Sequence, residues 1–347
     1  MSTPRADRPL PYHRLATLRP AWAAPSRPVL TLATALVVYV ILASVLLVGT
    51  VLVLALVPGV NAAMGVTSGD PTSPLDVGIA LAMGALWWPA ALVGVRVGGW
   101  RPLGPTWSVA SRWRTELLRS TGIWVVVGAL GVVAIAAVAG AVVGADGAGS
   151  VGGGASFLQL SVVVLLVLVL APIQAVGLEL ALRGMVLQAI GTWLRSPVVG
   201  ILVVAALALI GRELTAAVML PALAVALSAA VLAWKTGGLE LPILLTATAT
   251  VSALCVSALA AGTGAGAGAS AVGAAVSAPG TSAAALASTE VGPASAEAAL
   301  AGGAAGAIAL LILTVVFVVL VSRRDGLRLL EPVGRSSGEL PPKPVLI

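Results

Sequence analysis

The sequence predicts an all-α protein, a polytopic helical membrane bundle of about eight transmembrane helices. Three observations predict it. Hydrophobic residues make up 59% of the 347 and charged residues only 9%, with a mean hydropathy of +1.09. The apolar residues fall into eight uncharged runs, and 18 of the 19 Lys and Arg residues lie in alternate connections between those runs. A soluble domain carries roughly 25% charged residues, so this chain cannot cover a globular surface of its own size. That excludes a soluble enzyme, a disordered chain and a nucleic-acid-binding domain. The net charge of +6 does not restore the last, because the cations punctuate apolar runs rather than forming a stripe. One cysteine excludes a disulfide framework.

A membrane helix needs about 20 mostly apolar residues. The runs in order are Val29–Val57, Val77–Val95, Ser120–Ala145, a span over Phe157–Gly177 after a glycine turn, Ser196–Gly211, Leu214–Trp234, Leu241–Gly262 and Ala298–Ser322. Ser196–Gly211 is the shortest and equally suits a half-buried helix. The first run is too long for a signal-peptide core, usually 7–15 residues, and reads as a span. The chain thus divides into a tail (1–28), three spans with a basic, Trp-rich loop at 96–119 (29–145), a core (157–262), an Ala/Gly/Ser-rich loop expected to be flexible (263–297), a last span (298–322) and a second tail (323–347).

Cytoplasmic loops collect Lys and Arg. Five cations lie in the first tail, five at 96–119, Arg183 and Arg195 after the fourth run, Lys235 after the sixth and five in the second tail; only Arg212 lies opposite. Both termini are expected to be cytoplasmic, in a bacterial cell membrane.

Few residues could carry chemistry. Glu179 and Arg183 stand four apart, Glu first, which puts them on one helical face as a favourable pair. The simplest role for the pair is neutralising two charges at a membrane boundary. Arg212 and Glu213 read as a turn between two short spans. Gly94–Gly98 and Gly140–Gly144 have the small-xxx-small spacing that lets helices approach closely. Trp87, Trp88, Trp100, Trp107, Trp113 and Trp124 read as an interfacial belt. Cys255 has no His or acid beside it in sequence and reads as a small buried residue. No glycine-rich stretch has the context of a phosphate loop.

The segments APIQAVGLELALRGMVLQAIGTWL, ALALIG and LAWKTGGLELPILLTATATV, between Ala171 and Val251, resemble the CPBP family of intramembrane metalloproteases, which includes the CAAX prenyl endopeptidases and the bacteriocin-processing and immunity proteins. The motif order is E-E-x-x-x-R-G, a short span ending in His, then T-G-G/S-L and H-x-x-x-N. WWPAALVGVRVGGWRPLGPTWSVASRWR is similar to the segment preceding this domain in actinobacterial members. In the family the first Glu is taken to activate water, and two His and an Asn complete a polar site that binds metal or stabilises the oxyanion.

Carried over position by position, the resemblance keeps Glu179 and Arg183. The first Glu becomes Leu178, the two His become Gly211 and Thr246, and the Asn becomes Thr250. Water activation needs a positioned base or a metal. A zinc site wants three or four His, Cys or carboxylate ligands, and the one His of the chain, His13, is in the tail. The resemblance therefore implies a pseudoenzyme: catalytic residues not intact, no cofactor, zinc ligands absent, and a retained membrane binding or scaffolding role. Its expected partners are the lipid bilayer and a membrane protein or peptide, without nucleic acid. Two other readings stay open, an active endopeptidase with a rearranged site and a small-solute carrier or channel.

Overall fold

A computed structural model describes residues 9–56, 71–144, 155–262 and 293–335. The Ala/Gly/Ser-rich loop lies almost wholly outside the described residues. Among them, seven helices are long and apolar enough to cross a membrane: α1 (Ser26–Ala55), α2 (Pro74–Gly98), α3 (Thr115–Gly144), α4 (Phe157–Trp193), α6 (Ala216–Thr236), α7 (Glu240–Gly262) and α8 (Pro293–Arg324). The remaining run forms only α5 (Pro197–Leu207). At 1.5 Å per residue α5 reaches about 16 Å, half of the roughly 30 Å hydrocarbon layer. The fifth run is thus a half-length helix that pairs with α6.

Helix starts follow their local chemistry. Ser73 accepts the Asp76 amide at the head of α2, with Pro74 at the first helical position, and Ser156 accepts the Gln159 amide at the head of α4. Both hydroxyls satisfy amides that the helix itself cannot. α4 overruns its expected end at Gly177 and continues through a π-helical stretch, Leu180–Val186, to Trp193. Its 37 residues span about 55 Å. The extra length is not lipid-covered; Leu180, Met185 and Leu187 are buried in the largest apolar cluster together with Tyr12, Leu15 and Leu239.

Small residues set the helix spacings. α8 lies against both α3 and α6: a methyl added to Gly302 would stand 2.8 Å from the Ala136 carbonyl oxygen, and one on Gly303 2.7 Å from that of Ala217. Such approach is how membrane helices gain dispersion energy where lipid offers no hydrophobic drive. Gly94 and Gly98 do the same for α2 against Thr31 and Leu30 of α1. α1 is otherwise lipid-facing, with Val37, Val45 and Leu52 more than half exposed.

The two tails meet. β1 (Leu10–Pro11) pairs antiparallel with β2 (Gly334–Arg335), which puts both tails at one end of the bundle. Between β1 and α1 a 3-10 turn, Tyr12–Thr17, packs so tightly beneath α4 that a methyl on Gly191 would overlap the His13 carbonyl. The 96–119 connection and the first tail, expected as loops, are folded into this end plate: Tyr12, Leu15, Thr106 and Ser108 are fully buried. Trp100 and Trp124 are exposed as a belt requires, whereas Trp87 stacks on Tyr39 of α1 with ring centroids 4.1 Å apart.

Candidate functional site

The intramembrane site is built by α4, α6 and α7. Glu179 lies 22 residues from the start of α4, about 33 Å along it, at the boundary nearer the tails. The backbone turns from α to π geometry here, since α-helical hydrogen bonding ends at Glu179 and the wider turn begins at Leu180. Single π turns often mark functional positions. Glu179 is 1% exposed and Arg183 3%. Arg183 Nη1 donates to Glu179 Oε1 at 3.1 Å, and Nη2 donates to the Ala226 carbonyl of α6 at 2.8 Å. The expected pair therefore forms, and it is also a tie between α4 and α6.

Thr246 of α7 stands beside the Glu179 carboxylate. Its hydroxyl proton is committed to the Pro242 carbonyl one turn back, at 2.9 Å, the local bond that threonine in a helix commonly makes. Thr250 is buried one turn further along α7, and Leu178 is half-buried. Gly211 is exposed in the turn after α5, with φ 79° in the left-handed region. Glu179, Arg183 and Thr246 thus come together, while Gly211 marks a surface turn.

Several buried polar atoms in this part of the bundle have no hydrogen-bond partner among the described residues: Glu179 Oε2, Arg183 Nε, Gln174 Nε2 and Ser228 Oγ. Unmade bonds of this kind cost about 1–3 kcal/mol each, so the site holds polarity that packing alone does not satisfy. Zinc does not fit these residues. One carboxylate already paired with a guanidinium, and a hydroxyl whose proton is engaged, do not make the three or four ligands that zinc wants. Among the described residues no three His, Cys, Asp or Glu side chains cluster anywhere. Glu179 as a lone base would have to act with one carboxylate oxygen already engaged by Arg183.

The end plate contains polar contacts that the sequence did not expose. Arg114 grips Glu240 through two parallel bonds, Nε to Oε1 at 2.9 Å and Nη2 to Oε2 at 2.8 Å, and its Nη1 donates to the Thr236 carbonyl at 2.7 Å. The TGGLE stretch has a structural use here. Gly237 closes α6 at φ 72°, where a Cβ is strained, Gly238 bridges to Ser108, and Glu240 opens α7 with Arg114 on it. Lys235, fully buried, donates to the carbonyls of Arg328, Leu329 and Glu331 at 3.0, 3.1 and 2.6 Å. Arg101 donates to Gln188 at 2.7 Å, and burial pushes its pKa down to about 10. Burial also holds the Tyr12 phenol well above its ordinary value, helped by the nearby Glu240 carboxylate. Arg212 donates to the Ala208 carbonyl at 3.1 Å, and desolvation pushes its pKa to about 10. Cys255 is half-buried among Val251, Leu254 and Ala258.

Comparison of the chain with protein-family models, with curated proteins and with solved structures finds no match.

Proposed function

We propose that this chain is a proteolytically silent, CPBP-like membrane protein that keeps the family's buried Glu–Arg tie as a structural element and binds or scaffolds a membrane protein or peptide. The observation that carries the reading is the meeting of three motif positions from two helices distant in sequence. Glu179 and Arg183 of α4 lie under Thr246 of α7 and are tied to α6 at Ala226. Glu179 and Arg183 meet by their spacing alone; what the distant helix adds is Thr246 beside them. The orientation belongs to the same proposal: both tails cytoplasmic, supported by the distribution of 18 of the 19 cations and by the β1–β2 pairing.

Silence follows from chemistry. The position of the water-activating carboxylate is Leu178, and the two imidazole positions are Gly211 and Thr246. Losing a general base alone costs about 10²–10⁴ in rate, and groups that act as a unit leave little further to lose. The test is a cleavage assay on the purified full chain in detergent, with prenylated CAAX peptides and unmodified membrane peptides, with and without added zinc. No turnover is expected under any of these conditions. Turnover by the wild-type chain that Glu179→Gln abolishes would replace this reading with that of an active endopeptidase.

A further inference from the structure

The end plate holds a cavity of about 250 Å³, several times the roughly 30 Å³ that one water occupies. It lies where α3 and α8 leave the apolar layer, and its walls include Arg112, Trp113, Arg114, Thr115 and Arg324. Arg114 is committed to Glu240. Arg112 is exposed, and its guanidinium has no partner among the described residues. Arg324 donates from Nη1 to Ser120 and Thr121 at 2.6 and 3.1 Å, which closes the mouth between the two helices. Glu116 and Asp325 also line it, with Asp325 Oδ1 3.8 Å from Arg324 Nε; counting the exposed Arg119 and Arg323 next to them in sequence, segments 112–119 and 323–325 carry five arginines against two carboxylates. Trp113 is 42% exposed, as suits a side chain at headgroup level.

Apolar surface continues from this mouth into the bilayer. On α8, Leu320 and Val316 stand one and two turns from Arg324 on the same face and are 48% and 46% exposed. On α3, Trp124 and Val127 follow Ser120 at the same kind of spacing and are 63% and 54% exposed. A polar, arginine-lined pocket above two lipid-facing helix stripes matches a molecule with an anionic head and apolar tails. A soluble anion would use the pocket and leave the stripes without a role.

We propose that this pocket receives the phosphate of an anionic phospholipid headgroup, held by Arg112 and Arg324, with the acyl chains along α3 and α8. Basic pockets between membrane helices recognise anionic headgroups in this way, and arginine matches phosphate oxygens in a two-bond fork. The site is separate from Glu179 and Arg183 and does not depend on the catalytic reading.

The experiment reconstitutes the full chain in vesicles of phosphatidylcholine alone or of phosphatidylcholine mixed with phosphatidylglycerol, and reads the thermal unfolding midpoint and the lipid retained on re-extraction. Phosphatidylglycerol is expected to raise the midpoint and to be retained preferentially. Each arginine near an anionic headgroup contributes about fivefold in affinity. The single variant Arg112→Gln, at an exposed and unpartnered position, should weaken retention by about that factor, and Arg112→Gln with Arg324→Gln by roughly 25-fold. Arg96→Gln, at an exposed position on α2, should change nothing. The proposal is overturned if phosphatidylglycerol has no effect, if the double variant retains it as the wild type does, or if Arg96→Gln weakens it equally. It is also overturned if inorganic phosphate with phosphatidylcholine vesicles reproduces the rise, which would make the ligand a soluble anion.

Discussion

Arg114 and Glu240, 126 positions apart in sequence, form a two-bond clamp that fastens the head of α7 to the connection between α2 and α3. The Glu240 side chain is fully buried and that of Arg114 is 17% exposed, so neither finds a full substitute in water.

Glu240→Gln is expected to destabilise the protein by about 3 kcal/mol, the low end for breaking a buried pair by removing one partner. Arg114→Lys should fall between wild type and Arg114→Ala, because lysine keeps the charge and loses the fork. Thermal unfolding in mild detergent measures both. Equal midpoints for wild type and Glu240→Gln would remove the clamp from the account.

The first tail predicts a pH dependence through His13. Its ring bonds the Arg195 carbonyl through Nε2, while Nδ1 is buried without a partner. Burial holds its pKa below the ordinary 6.5, since a protonated ring would bury a second, unpaired N–H. The unfolded chain then binds the proton first as pH falls, so this stability is complete above about pH 6.5 and is lost as pH drops through that value toward the folded pKa. His13→Gln keeps a donor for Arg195 and should flatten this part of the unfolding-against-pH curve. An unchanged slope in the variant would assign the dependence to another group.

Gly303→Leu is expected to cost about 1–3 kcal/mol, the usual range for overpacking, because α8 must move away from the Ala217 carbonyl. Gly49→Ala on α1, where an added methyl meets nothing within 4 Å, should be neutral or stabilising by up to about 1 kcal/mol. Unfolding midpoints of the two variants separate packing from helix propensity.

Epitope tags at residue 1, at residue 347 and within 101–119 should be reached only from the cytoplasm, and a tag near residue 280 only from outside. The Lys and Arg distribution places all three on one side; the β1–β2 pairing joins the two tails, and Arg335 donating to the Val109 carbonyl joins the 101–119 segment to them. A second tail reached from the opposite side to the first would contradict the fold itself.

The bundle was legible because lipid demands long apolar runs and internal hydrogen bonding, and both leave a period-free but unmistakable composition. The Glu179–Arg183 pair was legible because its spacing is local. Arg114–Glu240, Lys235 on the 328–331 carbonyls and Tyr12 on Thr106 were not. Each joins segments about a hundred residues apart, and each hid behind a sufficient local reading: Arg114 and Lys235 as charges that orient loops, Glu240 as part of a family motif. One signal was available, since an acid two residues after a Gly-Gly helix stop and buried at the next helix start requires a cation from elsewhere. The sequence ends this span at Gly177 because Glu179 and Arg183 interrupt the uncharged run; the helix continues because Leu180, Leu187 and Ile190 pack against the first tail rather than lipid.

Glu179 serves the fold by holding Arg183, and a double-mutant cycle on the two tests this. Stability is measured for wild type, Glu179→Gln, Arg183→Gln and the double variant in one detergent. A coupling of about 1–3 kcal/mol is expected, with each single variant strongly destabilised by the partner charge left buried and the double variant recovering part of the loss. Additive effects, with Glu179→Gln as stable as wild type, would contradict it and return Glu179 to the role of a poised, unpaired carboxylate.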